Sequence, residues 1–130
     1  MEKRKIATAA APAAIGPYSQ AIKITGGSLL FVSGQLGVDP ASGAFVGESV
    51  EAQTERAIAN VFAVVEAAGG GRGSIVKTTV YLHDMADFAR MNEVYSRLLG
   101  EPYPARCCVG GLALPKNALV EIEAVVVLEK

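Results

Sequence analysis

Hydrophobic positions recur with two different periods along this chain of 130 residues, and these periods predict two helices among several strands. From Val50 onward the apolar side chains return every three or four residues, a spacing that is typical of an amphipathic helix. Ser49 is placed to cap that helix, and a glycine-rich stretch ends it. A second helix with the same spacing is predicted to begin near Asp84 or Asp87 and to end at Gly100.

The other patterned segments show the two-residue alternation and the β-branched side chains that are typical of strands. The first two of them flank Gly26 and Gly27, and because a glycine pair suits a tight turn they predict a β-hairpin. The predicted strands cover residues 20–25, 28–33, 75–83, 106–113 and 118–129. This order of strands and helices predicts an α+β fold with the two helices on one face of a sheet.

The last predicted strand is apolar on both of its faces. Its even-numbered residues from Ala118 to Leu128 are hydrophobic, and we expect them to meet the helices. Its odd-numbered residues are Leu119, Glu121, Glu123, Val125 and Val127. Because this second face is too apolar for contact with water, we expect another subunit to cover it.

The composition excludes several classes of protein. Hydrophobic residues make up 51% and charged residues 19%, which excludes a disordered chain, and two cysteines are too few for a disulfide scaffold. No apolar run is long enough for a membrane helix. The 12 Lys and Arg balance 13 Asp and Glu, which argues against nucleic acid as the main ligand. We therefore expect a soluble cytoplasmic protein in which residues 1–130 form one domain.

Few side chains in this sequence are suited to metal binding or to nucleophilic catalysis. His83 is the single histidine, and its position predicts a surface residue at the end of a strand. Cys107 and Cys108 are adjacent, so their geometry cannot supply two good ligands of a tetrahedral metal site. We interpret both cysteines as small buried hydrophobic residues.

Arg106 is a candidate for recognising a ligand. It follows a proline-fixed segment, has few charged neighbours in the sequence, and its planar guanidinium suits a bidentate carboxylate partner. A structural ion pair with Glu121 or Glu123 explains the same arginine equally well.

Several segments, taken in order, resemble the RidA family, which is also called the YjgF family. They are GPYSQA (16–21), FVSGQLGVDPASG (31–43), QTERAIANVFAVVEAAG (53–69), IVKTTVYLHDMADFARMNEVY (75–95), YPAR (103–106) and LPKNALVEIEAV (114–125). Each segment is a weak signal alone, but together they are specific and span nearly the whole chain.

The resemblance implies a chorismate-mutase-like α+β fold with a mixed β-sheet, assembled as a homotrimer with ligand clefts between subunits. It also implies the activity of a 2-iminobutanoate/2-iminopropanoate deaminase, which hydrolyses reactive 2-imino acids to 2-keto acids and ammonia. These imino acids are the enamine/imine products of pyridoxal-phosphate dehydratases. The implied reaction needs no cofactor and no metal ion.

By the same resemblance, Arg106 binds the substrate carboxylate and Glu121 holds or activates the attacking water. The other positions that the family places around the cleft are Tyr18, Ser33, Asn92 and the backbone amide of Cys108. Two residues depart from the family pattern, because Cys107 stands where Ser or Thr is usual and Gly111 where a β-branched residue is usual. These departures affect the shape of the cleft, so the preferred imino acid stays open.

The residue types are independently suited to imine hydrolysis, since a 2-imino acid offers a carboxylate to Arg106 and an electrophilic carbon to a water aimed by Glu121. Two other classes of function stay open. One is an endoribonuclease or translation inhibitor acting on RNA, against which the net charge of −1 argues. The other is a non-catalytic trimeric protein that binds ligands or acts as a chaperone.

Overall fold

The computed structural model describes residues 1–130, which form six strands, two α-helices and three single-turn 3₁₀ helices. The strands are β1 (Glu2–Ile6), β2 (Ala21–Thr25), β3 (Ser28–Leu36), β4 (Ile75–Leu82), β5 (Ala105–Val109) and β6 (Val120–Leu128). The helices are α1 (Val50–Ala67) and α2 (Phe88–Leu99). The predicted α+β class, with two helices and a mixed sheet, is confirmed. Neither helix has the length and hydrophobicity needed to cross a bilayer.

Four strands form the main sheet, in the order β3-β6-β4-β5. β4 and β5 run parallel, whereas β6 is antiparallel to both of its neighbours. Because β6 is central, its even-numbered side chains form the floor of the core, and Val120, Ile122 and Val126 are fully buried. β5 is an edge strand, and it carries Arg106 and Cys108.

Both helices pack on one face of this sheet and bury the apolar stripes that their sequence periods predict. Ser49 caps the N-terminus of α1, and its hydroxyl accepts a hydrogen bond from the backbone N–H of Ala52 at 3.1 Å. Asp84 caps the 3₁₀ turn before α2 instead of α2 itself. Asp87 occupies the N-cap position of α2 without a capping hydrogen bond, and its carboxylate pairs with Arg90.

The predicted hairpin between residues 20–25 and 28–33 is wrong. β2 pairs with β1 in a separate two-stranded sheet, while β3 pairs with β6. Gly26 and Gly27 have φ angles of 79° and 78° and redirect the chain from one sheet to the other. A Cβ atom at Gly27 would lie 2.5 Å from the carbonyl oxygen of Leu128, so this turn meets the end of β6 where only glycine fits.

The outer face of the main sheet, which points away from the helices, is partly apolar in the single chain. On β3 the side chains of Leu29 and Phe31 are 63% and 71% exposed, and Val109 on β5 is also exposed. Val127 does not belong to this exposed surface, contrary to the prediction, because it is only 2% exposed beside Gly27. The remaining exposed apolar side chains leave a face that a partner could cover.

Candidate functional site

Arg106 projects from β5 onto the helix side of the sheet, where it is half-buried. Its Nη1 donates a hydrogen bond to Oδ1 of Asn92 at 2.5 Å. The guanidinium carbon lies over three aromatic rings, 4.9 Å from the centroid of Tyr95, 5.6 Å from Phe88 and 5.7 Å from Tyr18. These five residues are called the arginine cluster below. The rings restrict the guanidinium by cation–π contact without neutralising its charge.

Three members of the cluster come from α2 because of helical spacing. Phe88, Asn92 and Tyr95 are four and three residues apart, so all three side chains point from one face of the helix toward β5. Of these three helix residues, only Asn92 was expected at the site. Phe88 and Tyr95 were missed because their spacing fits the apolar face of a helix, yet their shared face with Asn92 was a usable signal.

Tyr18 reaches the cluster through a short bridge between its loop and β5. The backbone N–H of Ser19 donates to the carbonyl of Pro104 at 3.0 Å, and its hydroxyl donates to the carbonyl of Tyr103 at 2.5 Å. This pairs Ser19 with Ala105 in parallel register. Tyr18 and Arg106 lie diagonally across this bridge, and the guanidinium carbon of Arg106 is 5.7 Å from the centroid of the Tyr18 ring.

Arg106 has no carboxylate partner in the chain, so the expected alternative of an ion pair with Glu121 or Glu123 is wrong. The ion pairs present involve the N-terminal amine, Arg90 and Arg97. β4 separates β5 from β6, and Glu121 projects from the opposite face of the sheet. A guanidinium has five N–H donors, and the one bond to Asn92 leaves most of them free for a ligand.

Burial beneath the arginine raises the pKa of two neighbouring titratable side chains. Burial raises the pKa of the Tyr95 phenol, although its hydroxyl lies 2.7 Å from that of Thr78 and this hydrogen bond lowers the pKa. Burial also raises the pKa of the Cys108 thiol, and the charge of Arg106 opposes that shift. Cys108 is therefore not an activated thiolate nucleophile.

The cysteines divide between the two faces of the edge strand. Cys108 is half-buried on the helix side, whereas Cys107 is exposed, so the expectation that both are buried is wrong for Cys107. The alternation of β5 explains the difference. The edge position of β5 is what a ligand-binding backbone amide at Cys108 requires.

Glu121 belongs to a second group of residues on the outer face of the sheet. The ladder between β3 and β6 shifts register between Val32 and Gln35, and this bulge contains Ser33 and Gly34. The carboxylate of Glu121 packs so tightly over Gly34 that a Cβ atom there would collide with it. Glu121, Ser33 and Gly34 are called the glutamate group below.

Glu123 is the next outward-facing residue of β6, and its carboxylate is already engaged. The hydroxyl of Tyr81 donates a hydrogen bond to Oε1 of Glu123, and this bond raises the pKa of the half-buried Tyr81 phenol. Glu121 has no such partner. Of the two glutamates, Glu121 is therefore the one whose carboxylate is available to a ligand or a water molecule.

The predicted site residues thus fall into two sets within one chain. Tyr18, Asn92 and Arg106 lie together with Cys108 nearby on the helix side, while Ser33 and Glu121 lie on the outer face. None of the five main cavities, of about 210 to 500 Å³, is lined by Arg106 or Glu121. Each set is an open surface, and a single chain does not bring the two sets together.

His83, the single histidine, lies outside the arginine cluster. It is exposed directly after β4, and its Nδ1 is 2.9 Å from the carbonyl oxygen of Leu112. Arg106 pairs in register with Thr78, five residues earlier on that strand. At ~3.3 Å per residue the separation between Thr78 and His83 is roughly 16 Å. The expected surface position of His83 is confirmed.

The chain matches a family model described as Endoribonuclease L-PSP over residues 8–128. A RutC family protein from Pyrococcus abyssi is 50% identical over 125 residues, covering 96% of this chain and 97% of that protein. A 2-iminobutanoate/2-iminopropanoate deaminase from Salmonella typhimurium is 49% identical over 127 residues, covering 95% and 97%. The crystal structure of E. coli TdcF with bound serine has a TM-score of 0.74 at 43% identity and covers 96% and 98%. The residues matched by the family model include both residue sets.

Proposed function

Because this chain belongs to the RidA family, which the endoribonuclease L-PSP model describes, we propose that it hydrolyses reactive 2-imino acids to 2-keto acids and ammonia. The observation that carries the proposal is the guanidinium of Arg106, which is held by Asn92 and three rings and faces no carboxylate. Such a group is suited to an external carboxylate. The name of the Salmonella relative supports the same substrate class.

Arg106 is proposed to bind the substrate carboxylate with two parallel N–H···O bonds. The bond from Nη1 to Asn92 and the ring of Tyr95 at 4.9 Å fix the plane of the guanidinium before a ligand arrives. A fixed plane sets the orientation of the bound carboxylate and hence of the C=N carbon beside it. The half-buried position strengthens the interaction because less water screens it.

Glu121 is proposed to act on the attacking water. Its carboxylate takes a proton as the water oxygen bonds to the C2 carbon of the imino acid, which gives a tetrahedral carbinolamine. This proton then passes to the nitrogen, and the hydroxyl proton of the carbinolamine follows by way of the same carboxylate. The C–N bond breaks with its electron pair leaving on ammonia, and the C=O bond of the 2-keto acid forms. Neither a metal ion nor an organic cofactor takes part in these proposed steps.

Arg106 and Glu121 can act on one substrate only if they come from different subunits, because they lie on opposite faces of the sheet in one chain. We therefore place the reaction between subunits of a homotrimer, with the arginine cluster of one subunit against the glutamate group of the next. The exposed Leu29 and Phe31 on the face that carries Glu121 support an interface there.

A coupled assay tests the proposal. A serine or threonine dehydratase generates the imino acid in the presence of semicarbazide, which traps the imine as an absorbing semicarbazone. The expected result is that substoichiometric protein suppresses semicarbazone formation while keto-acid output is maintained. The Arg106→Ala variant is the control and should not suppress it. Equal semicarbazone formation with and without the wild-type protein would refute the proposed function.

The two alternative functions have less support in this chain. Ribonucleolysis is named in the description of the family model, but the net charge of −1 argues against RNA as the main ligand. A purely surface-based binding or chaperone function does not require Arg106. Incubation with RNA, and holdase assays of wild type and Arg106→Ala, separate these functions from imine hydrolysis.

A further inference from the structure

The alanine-rich segment between β1 and β2 is held by one side chain that the proposed function does not use. Nε2 of Gln20 donates to the carbonyl oxygens of Thr8 (3.2 Å), Ala11 (3.3 Å) and Pro12 (2.6 Å). Oε1 of Gln20 accepts a hydrogen bond from the backbone N–H of Thr8 at 2.7 Å. A single amide group thus contacts three residues of this exposed segment.

The segment has little else to order it. Residues 9–14 are alanine except for Pro12, so their side chains offer no polar group and little apolar surface, and all of them are exposed. Fixing the backbone of such a segment costs about 1–2 kcal/mol per residue in conformational entropy. The bonds from Gln20 are therefore the main enthalpic contribution that the structure provides against that cost.

The ordered segment leads directly to the arginine cluster. Its last residue, Ile15, donates its backbone N–H to the hydroxyl of Tyr18 in a long hydrogen bond of 3.4 Å. The ring of Tyr18 in turn lies beside Arg106. Gln20 and Tyr18 flank Ser19, which is bonded to Pro104 and is 2% exposed, so the base of this loop is fixed while the segment above it depends on Gln20.

We propose that Gln20 is a positioning residue for the arginine cluster, because it fixes the segment Thr8–Ile15 and through Ile15 sets the place of the Tyr18 phenol over Arg106. The kinetic part of this proposal rests on the proposed imine hydrolysis. The role requires a primary amide. Glutamate would keep the acceptor for the N–H of Thr8 but would lose every donor to the three carbonyls.

The kinetic test compares Gln20→Ala, Gln20→Glu, Tyr18→Phe and the double variant Gln20→Ala/Tyr18→Phe. Lys23→Ala is the matched control, because Lys23 is exposed on β2 and forms no ion pair. Gln20→Ala should raise KM about 3- to 10-fold, the effect of one to two hydrogen bonds, with kcat within about twofold of wild type. Gln20→Glu should show the same direction of change, and Lys23→Ala none.

The double variant decides whether Gln20 acts through Tyr18. If it does, Gln20→Ala should change KM by less than about twofold in the Tyr18→Phe background, because the contact that transmits its effect is already gone. Independent effects that multiply in the double variant would overturn the proposal. So would a Gln20→Ala variant whose KM matches that of wild type.

Hydrogen–deuterium exchange tests the positioning role of Gln20 without any substrate. Gln20→Ala should speed exchange across residues 8–18, while the exchange of β4 and β6 stays at the wild-type rate. Unchanged exchange in residues 8–18 would overturn the positioning role whatever the kinetics. If wild type lacks imine hydrolysis but exchange changes as described, the proposed function fails and the role of Gln20 in placing Tyr18 stands.

Discussion

Arg106 and Glu121 lie on opposite faces of one sheet, on strands that β4 separates. The arginine is surrounded by rings and an amide on the helix side, whereas the glutamate packs over the bulge at Gly34 on the outer side. Neither residue is the structural counterion of the other. On the proposed mechanism, each residue is therefore half of a site that a second copy of the chain completes.

The substitution Arg106→Lys should impair imine turnover almost as much as Arg106→Ala. Lysine keeps the positive charge but loses the planar pair of donors, and it cannot stack in the same way on Tyr95. Loss of a charge-assisted hydrogen bond is worth about 1.5–3 kcal/mol, so kcat/KM should fall roughly 10- to 150-fold. The coupled dehydratase assay measures this ratio. Near-normal turnover in the lysine variant would show that bidentate recognition is not required.

The substitution Glu121→Gln should separate binding from chemistry. Glutamine keeps the size of the side chain but cannot take a proton from water, so turnover should fall by about 10²–10⁴-fold. Binding of a 2-keto acid product such as 2-oxobutanoate, measured by calorimetry, should persist because Arg106 is intact.

Glu123→Gln is the matched control for that experiment, since Glu123 lies two residues further on the same strand face and its carboxylate is bonded to Tyr81. Its effect on turnover should be small. Equal losses of turnover in both variants, or lost binding with unchanged turnover per bound substrate, would contradict the role given to Glu121.

The hydroxyl groups of Tyr95 and Thr78 should stabilise the fold as a hydrogen-bonded pair. Both residues are buried, and either single substitution, Tyr95→Phe or Thr78→Val, leaves one hydroxyl without a partner at a cost of about 1–3 kcal/mol. The double variant should lose less free energy of unfolding than the two single variants together, because both polar groups are then removed. Urea unfolding at one fixed protein concentration measures these differences. Strictly additive losses would argue against the pair.

Exhaustive chelation should leave imine hydrolysis unchanged. The chain contains no group of three or more His, Cys, Asp or Glu side chains arranged to hold a metal ion. The measurement is turnover after EDTA treatment and dialysis, beside an untreated sample. Activity that disappears with EDTA and returns with a divalent cation would contradict a mechanism that depends on Arg106, Glu121 and water.

The local elements of this fold could be predicted from the sequence because they depend on side-chain periodicity. The spacing from Val50 defined α1, and the alternation from Val120 defined the buried face of β6. β1 was missed because Glu2–Ile6 has no apolar alternation. Its order comes from backbone pairing with β2 and from a bond of the Lys3 ammonium to the carbonyl of Gly73 at 2.8 Å.

Long-range relationships could not be predicted, because they depend on which strands pair. The glycine pair at Gly26 and Gly27 is compatible with a hairpin, yet β3 pairs with the long apolar β6 instead. The registers against β4 decide that Arg106 and Glu121 face opposite ways, because their partners Thr78 and Tyr81 point to opposite faces of that strand. From the residue types alone, an ion pair between Arg106 and Glu121 was as plausible as a ligand site at Arg106. The position of β4 between β5 and β6 excludes the ion pair within one chain.

The central claim, a site composed of Arg106 from one subunit and Glu121 from the next, is tested most directly by mixing two inactive variants. Arg106→Ala and Glu121→Gln chains carrying different tags are co-expressed, and trimers containing both tags are isolated. Every such hybrid restores one intact site of three, so the isolated hybrid trimers should recover about one third of wild-type turnover per chain. Recovery at that level is the predicted result. Hybrid trimers that form but stay as inactive as the parent variants would contradict the account.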